Sequence, residues 1–215
     1  PNGAGKTTLF NLISGVLPVD RGRVLFNGED VTRRSLDQRA RRGLGRTFQR
    51  NNLFLALPTI ENVRLAVRQR RGLSGRMFRP ARAYSEVTDE ALEQLARVGL
   101  RERADDPAGQ LAYGQQRALE IALALAMRPS LLLLDEPMAG MSPAETVQMA
   151  ELIATLPLEL TLLIIEHDMD TVFRLADRVT VLSFGNVLAE GIPEEIRRNP
   201  QVQEVYLGQP TGEVF

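Results

Sequence analysis

The chain has 215 residues, of which 44% are hydrophobic, and a formal net charge of -1. This length suits one globular domain or a core with one subdomain, and the near-zero charge gives no reason to expect a nucleic-acid partner. The absence of cysteine excludes disulfides, thiolate metal sites and a cysteine nucleophile, and no apolar run approaches the ~18 residues of a membrane span. We therefore expect a soluble protein, or a soluble subunit that lies against another one.

The first fifty residues predict one longer helix and several short elements. The segment KTTLFNLISG predicts a helix that ends at a glycine, with an apolar stripe of Leu9, Leu12 and Ile13. The segment RGRVLFNGEDVT predicts a strand followed by an Asn-Gly turn. Residues 35–42 predict a short polar helix, and LGRTFQ predicts the end of a buried strand.

Helical patterns then dominate as far as residue 125. The segment PTIENVRLAVRQR predicts a helix, and RGLSGRMFRPAR predicts a loop. SEVTDEALEQLARVGL predicts a second helix, with Leu92, Leu95, Ala96 and Gly99 spaced along one side. QQRALEIALALAM predicts a third helix that is strongly apolar on one side.

Strands and helices alternate in the rest of the chain. PSLLLLDEP and LTLLIIEHD predict buried strands, and SPAETVQMAELIATL predicts a helix with Ser142 as its N-cap and Pro143 at its first position. DTVFRLAD predicts a helix, RVTVLSFGNVLAEG a hairpin, and the remainder two short helices. Apolar strands between helices indicate a parallel sheet covered on both faces. We therefore predict an α/β core of residues 1–50 and 126–215, with 51–125 as an inserted helical subdomain.

The glycine-rich opening PNGAGKTT fits the phosphate-loop pattern if one more glycine precedes Pro1. Gly3 and Gly5 permit backbone conformations in which successive N–H groups point at a polyphosphate, and the following helix adds its N-terminal dipole. Lys6 is the only lysine among 26 basic residues, and its thin stem suits a position under such a loop. Lys6 would contact the β- and γ-phosphates, and the Thr7 hydroxyl would bind Mg²⁺. An ordinary glycine-rich turn is the alternative.

Polar side chains follow the predicted strands at the edge where parallel sheets bind ligands. Asp135 would hold Mg²⁺ through water, and Glu136 would orient or deprotonate the attacking water. His167 follows the second of these strands and would contact the γ-phosphate, while Gln49 could bind Mg²⁺ or hold water. The alternatives are an exposed acidic turn, a structural histidine and an amide that only ends a strand.

A second helix that could receive phosphate begins at the segment LAYGQ, residues 111–115. Gly114 permits a tight turn, and the N–H groups at the start of the helix that begins with Gln115 form a second site for an anion. One nucleotide does not need two such helix ends from one chain. The sequence therefore predicts a dimer in which LAYGQ of one chain faces the nucleotide of the other.

Together these segments resemble the ATP-binding cassette (ABC) family of transporter ATPases. GAGKTT is similar to the Walker A motif, LLLLDEP to Walker B, LAYGQ to the signature, AGMS at 139–142 to the D-loop, and Gln49 and His167 to the Q-loop and the switch histidine. The resemblance implies an ATP hydrolase with a P-loop NTPase (RecA-like) core that uses ATP and Mg²⁺. It implies catalytic Glu136, His167 and Gln49; metal-binding Thr7, Gln49 and Asp135; and nucleotide-binding Asn2, Gly3, Ala4, Gly5, Lys6, Thr7, Thr8 and, across the dimer, Ala112, Tyr113, Gly114 and Gln115.

Four further segments resemble the ATP-binding proteins of branched-chain amino-acid importers: RTFQ, LAYGQQRALEIA, EHDMD and PEEIRRNPQVQEVYLG. This resemblance implies three partners: a second ATPase subunit, transmembrane permeases and, indirectly, a periplasmic solute-binding protein. It implies no nucleic-acid partner. It also implies a peripheral location on the cytoplasmic face of the plasma membrane. Ala112 stands where the family usually has Ser, a form that occurs in this subfamily, and Ser142 stands where Asp or Asn is common. We also expect a truncated start, with a strand, the first loop glycine and an adenine-stacking aromatic before Pro1.

Three other functions stay open. They are a lipopolysaccharide-type export ATPase, a non-transport ABC ATPase of DNA repair or the ribosome, and a nucleotide-binding subunit without catalysis. The sequence has no second cassette, which disfavours the non-transport proteins, and the presence of both Glu136 and His167 disfavours the non-catalytic subunit.

The segment 62–85 contains arginines but no acidic residue. It predicts either a solvated basic face or a surface near the permease or anionic lipid headgroups. The arginines are Arg64, Arg68, Arg70, Arg71, Arg76, Arg79 and Arg82.

Overall fold

The computed structural model describes residues 3–47, 53–73 and 85–207. The helices are α1 (Lys6–Ser14), α2 (Leu36–Ala40), α3 (Thr59–Arg70), α4 (Ser85–Arg97), α5 (Tyr113–Ala126), α6 (Pro143–Ala154), α7 (Met169–Leu175), α8 (Pro193–Arg198) and α9 (Pro200–Leu207). The strands are β1 (Leu25–Phe26), β2 (Glu29–Asp30), β3 (Leu44–Arg46), β4 (Leu131–Asp135), β5 (Thr161–Ile165), β6 (Val179–Ser183) and β7 (Asn186–Gly191). Short 3-10 helices cover Arg101–Arg103 and Ala108–Gln110.

The described residues fall into two units. One unit combines residues 3–33 with 165–207, and the other is residues 34–164. The division of the sequence into 1–50, 51–125 and 126–215 stays a prediction.

The first unit contains the antiparallel hairpin β6–β7, which the sequence predicted. Its register pairs Val179 with Gly191 and Ser183 with Asn186. Val179 and Val181 of β6 are buried together with Ile196 of α8 and Val202 of α9. Helices α8 and α9 therefore cover the apolar side of this hairpin.

Helix α1 has the predicted bounds but a different buried face. It ends at Gly15, which has a left-handed backbone, as expected for a helix C-cap. Its buried residues are Phe10 and Ser14, whereas Leu9 is 39% exposed, so the predicted apolar stripe is wrong. Phe10 and Ser14 are four residues apart and share one helix face, which is the covered one.

The second unit contains a sheet in the order β3-β4-β5. Strand β3 runs parallel to β4, and Leu44 pairs with Leu131. Leu132, Leu133 and Leu134 of the central strand β4 are fully buried, which confirms that LLLLD is a core strand. Strand β5 lies at the edge of this sheet, and only its last residue is buried, so the prediction of a second fully buried strand is wrong.

Helices α3, α4 and α5 pack against one another in the same unit. The buried residues of α4 include Glu90, Ala91 and Leu95. The predicted stripe was partly wrong, because Leu95 is buried but Ala96 and Gly99 are exposed. The acidic Glu90 can lie on the buried face of α4 because Arg70 and Arg71 neutralise its carboxylate.

The arginine-rich segment is largely paired within its own unit, where it is described. Arg70 and Arg71 bind Glu90, and Arg64 binds Glu61 at 2.5 Å. Carboxylates therefore balance the charge of these three arginines, and the two surfaces predicted for the segment stay predictions. Arg76, Arg79 and Arg82 lie outside the described residues.

Candidate functional site

The glycine-rich opening forms a tight loop directly before α1. Gly3 and Gly5 have positive φ angles of 75° and 97°, a left-handed backbone that residues with side chains rarely adopt. Gly5 is the N-cap of α1, and its carbonyl accepts the Leu9 N–H at 2.9 Å. The amino end of α1 therefore has no side-chain cap and keeps the dipole that favours an anion.

The side chains around this loop differ in exposure. Ala4 is buried and Lys6 is half-buried, whereas Thr7 and Thr8 are exposed. The exposed threonine hydroxyls are accessible to a ligand from solvent. Asn2 lies outside the described residues.

The β6–β7 hairpin turn supports the loop from the far end of the chain. The Gly185 N–H donates to the Ala4 carbonyl oxygen at 3.0 Å. A Cβ atom at Gly5 would lie 3.5 Å from the Gly185 Cα, so the two backbones are in close contact. Gly185 is a structural contributor to the loop that motif reading alone did not find.

His167 lies in the same unit as the loop, between β5 and α7. Its side chain is 61% exposed, and its Nδ1 is 3.9 Å from Glu166 Oε2. The following residue, Asp168, caps α7 by accepting the Thr171 N–H. The ring of His167 is thus open to a ligand while its backbone is tied to the start of a helix.

In the second unit, Asp135 ends the central strand β4. Its side chain is 1% exposed, and its Oδ2 is 3.2 Å from Arg46 Nη2. Glu136 follows with φ of 47° and is half-buried. Because the backbone turns after the strand, the Asp135 carboxylate is buried against Arg46 whereas Glu136 is only half-buried.

The LAYGQ segment forms the amino end of α5, as the sequence predicted. Ala112 is the N-cap and offers no side-chain oxygen, but its N–H donates to Gln115 Oε1 at 3.1 Å. The helix begins at Tyr113, two residues earlier than expected. Tyr113 is 39% exposed and Gly114 is half-buried.

The same helix end contacts the segment that precedes α6. Tyr113 Oη donates to the Ala139 carbonyl oxygen at 3.1 Å, and the Gly114 N–H donates to Glu145 Oε1 at 3.4 Å. Arg46, Glu145 and the Tyr113 contact are three features that sequence reasoning missed. The spacing of Ser142 and Glu145 is that of a capping box, and could have identified Glu145. Gln49 lies outside the described residues.

A family model described as "ABC transporter" matches residues 1–139. The chain belongs to the ABC transporter family. A second model, "Branched-chain amino acid ATP-binding cassette transporter", matches residues 186–210. The two matched ranges together include the glycine-rich loop, the segment LAYGQ and the hairpin strand β7 with helices α8 and α9.

Curated ABC proteins align along nearly the whole chain. It is 45% identical to "High-affinity branched-chain amino acid transport ATP-binding protein LivG" of Escherichia coli K12, covering 97% of this chain and 85% of LivG. It is 34% identical to "Lipopolysaccharide export system ATP-binding protein LptB" of Haemophilus influenzae, covering 97% of this chain and 83% of LptB. LptB is thus the more distant of these two relatives.

Solved ABC structures share the fold. The ADP conformation of the cassette MJ1267 superposes with a TM-score of 0.81 at 30% identity, covering 97% of this chain and 85% of MJ1267. A dimeric, post-hydrolysis structure of MJ0796 bound to ADP and Pi superposes with a TM-score of 0.72 at 27% identity, covering 90% of this chain and 82% of the MJ0796 chain.

These matches confirm the predicted α/β P-loop NTPase fold and the prediction of an ABC-type ATP hydrolase that serves as a transporter subunit. Nucleotide binding follows from membership of the family. None of the helices in the three described ranges is long and apolar enough to cross a bilayer. The roles of the individual site residues stay predictions.

Proposed function

We propose that this chain is the ATP-hydrolysing subunit of an importer for branched-chain amino acids and that it works as a pair of cassette subunits. The observation that carries the pairing is that the amino ends of α1 and α5 both lack a side-chain cap from their N-cap residue. A single nucleotide uses one such end from each of two chains. The MJ0796 structure, which is dimeric and bound to ADP and Pi, supports the pairing of two cassettes.

The roles of the site residues follow from their chemistry. Amides of the loop from Asn2 to Thr8 hold the β- and γ-phosphates together with Lys6. Glu136 accepts a proton from the attacking water, and His167 donates to the γ-phosphate. Across the dimer, the segment 112–115 (Ala112, Tyr113, Gly114 and Gln115) contacts the partner's nucleotide.

The donor set suits Mg²⁺ rather than a softer ion. Thr7, Gln49 and Asp135 offer hydroxyl, amide and carboxylate oxygens, which are hard ligands. The described residues contain no cluster of three or more Asp, Glu or His that could hold a metal ion. Mg²⁺ held by these residues would neutralise charge that develops on the phosphates.

Two similarities support branched-chain amino acids as the transported solute. Residues 186–210 match a model of branched-chain amino-acid cassettes, and LivG is more similar than LptB. The proposed partners are a second ATPase subunit, two permeases and, indirectly, a periplasmic binding protein. The complex would hold this subunit at the cytoplasmic face of the membrane.

Reconstitution tests this function. The protein is purified with candidate permeases and placed in proteoliposomes with ATP on its side, and uptake of labelled leucine is measured with a binding protein present. We expect ATP-dependent uptake that the Glu136→Gln variant lacks. Hydrolysis stimulated by lipopolysaccharide, without leucine uptake, would assign the export function instead.

A further inference from the structure

The amino end of α5 and the start of α6 are joined by two side chains. Tyr113 Oη donates to the Ala139 carbonyl oxygen at 3.1 Å, and Glu145 Oε1 accepts the Gly114 N–H at 3.4 Å. We call these two contacts the α5–α6 link. A Cβ atom at Gly140 would lie 3.7 Å from the Tyr113 ring, so the ring also rests on this segment.

Arg117, which follows one turn later in α5, orients the Tyr113 side chain. The Nε and Nη2 atoms of Arg117 donate to Tyr113 Oη at 3.2 and 3.0 Å, and the guanidinium lies 5.4 Å from the ring centroid. Arg117 Nη1 is in turn held by Glu120 Oε2 at 2.9 Å. Because two N–H groups already point at the phenol oxygen, its own proton is directed to the Ala139 carbonyl.

The two carboxylate oxygens of Glu145 have separate partners. Oε2 accepts the Ser142 N–H at 3.0 Å and the Ser142 hydroxyl at 2.7 Å, which closes the capping box of α6. Oε1 accepts the Gly114 N–H of the link. In α2, Gln38 closes the equivalent box with Ser35 using a single amide oxygen at 3.1 Å. A glutamine can therefore supply the cap but not both contacts.

We propose that Tyr113 and Glu145 are positioning residues that hold residues 112–115 and 139–142 as one body. The proposal rests on the proposed function, in which the segment 112–115 faces the partner's nucleotide. Each segment contains a glycine, Gly114 or Gly140, and without the link each would lose its own conformational freedom when the dimer closes. The link fixes both segments before closure, so one closing movement presents them together.

Three variants test the proposal in the intact protein. Tyr113→Phe removes only the hydroxyl, and Glu145→Gln keeps the α6 cap while replacing the acceptor of the Gly114 N–H. Thr155→Val is the matched control, because it removes a hydroxyl that donates to the Leu152 carbonyl at 2.8 Å at the far end of α6. ATP hydrolysis, nucleotide affinity of the monomer and hydrogen exchange are measured for each.

We expect Tyr113→Phe and Glu145→Gln each to lower kcat about fivefold, the factor that corresponds to one net hydrogen bond. The nucleotide affinity of the monomer should stay unchanged, because the partner's segment 112–115 is absent from it. Amide exchange should rise in 112–115 and 139–142 together, and the double variant should lose less than the product of the single effects. The control should match the wild type.

Two results would overturn the link. One is a wild-type kcat in both variants, and the other is faster exchange in only one of the two segments. A wild-type protein that hydrolyses no ATP would count against the proposed function instead, and the exchange measurement would still decide whether the link couples the segments.

Discussion

Arg46 and Asp135 form a buried ion pair between two neighbouring parallel strands. Their side chains are 7% and 1% exposed, and Arg46 Nη2 is 3.2 Å from Asp135 Oδ2. Arg46 stands opposite Leu133 in the register, so its side chain reaches two residues further along β4. The residue proposed to bind Mg²⁺ is therefore already held by a fixed positive charge.

Removal of Arg46 should destabilise the fold strongly. Arg46→Met leaves the carboxylate of Asp135 buried without its guanidinium, and we expect the free energy of unfolding in urea to fall by about 3 kcal/mol. The matched control is Arg41→Met, which breaks an exposed pair with Asp37 whose side chains are 77% and 65% exposed. That change should cost less than about 0.5 kcal/mol. Equal losses in the free energy of unfolding for Arg46→Met and Arg41→Met would contradict the expectation that burial makes the loss of an ion pair costly.

Glu136→Gln should bind ATP without hydrolysing it. The substitution keeps the size of the side chain but removes the base, so phosphate release should fall at least about a hundredfold. ATP should then trap a dimer that light scattering detects after size-exclusion chromatography. Glu159→Gln, a change at an exposed acid before β5, is the control. Ordinary steady-state hydrolysis by Glu136→Gln would refute the assignment of the base.

Glu90 should be a main stabilising contact of α3, α4 and the end of α5. It is 5% exposed, and it binds Arg70, Arg71 and Arg128. Glu90→Gln leaves three guanidinium groups close together without their carboxylate, and we expect a loss of about 3 kcal/mol in urea unfolding. Glu93→Gln breaks only the exposed pair with Arg97 and should change little. A similar loss for both variants would be the contrary result.

The stabilising effect of Glu145 should depend on pH. Its pKa lies below the ordinary 4.5 because it accepts the Ser142 hydroxyl and then the N–H groups of Ser142 and Gly114. A carboxyl with a lowered folded-state pKa stabilises above its unfolded pKa and loses that effect as pH falls through the folded value. The difference in Tm between wild type and Glu145→Gln should thus be constant above about pH 5 and shrink below it. A difference that widens in acid would contradict this.

Local sequence rules predicted what local contacts determine. Ser142 as an N-cap and the Asn27-Gly28 turn depend on residues three or fewer apart, and both are found. The ion pair of Arg46 with Asp135 joins residues 89 apart, and the Tyr113 contact with Ala139 joins residues 26 apart. Such contacts depend on which strands and helices become neighbours, which hydrophobic periodicity does not specify.

The same limit explains the errors in predicted faces. Periodicity treats α1 as if each apolar residue counted equally, yet the face of Phe10 is the one that is covered. In α4 the buried Glu90 interrupts an apolar pattern. Its carboxylate can be buried because Arg70 and Arg128, which lie outside α4, pair with it. The tight turn at Gly3 and Gly5 before α1 could be predicted because these residues are neighbours in the sequence, whereas the hydrogen bond from Gly185 joins residues far apart in the chain.

The contact between Ala4 and Gly185 also sets an order of events during synthesis. The loop is made about 180 residues before the N–H that its carbonyl accepts, an interval of roughly 10 to 40 s at ordinary translation rates. Until then the nascent loop has the sequence of a nucleotide site without the hydrogen bond that supports its backbone. The loop is therefore made well before its backbone can reach its finished form.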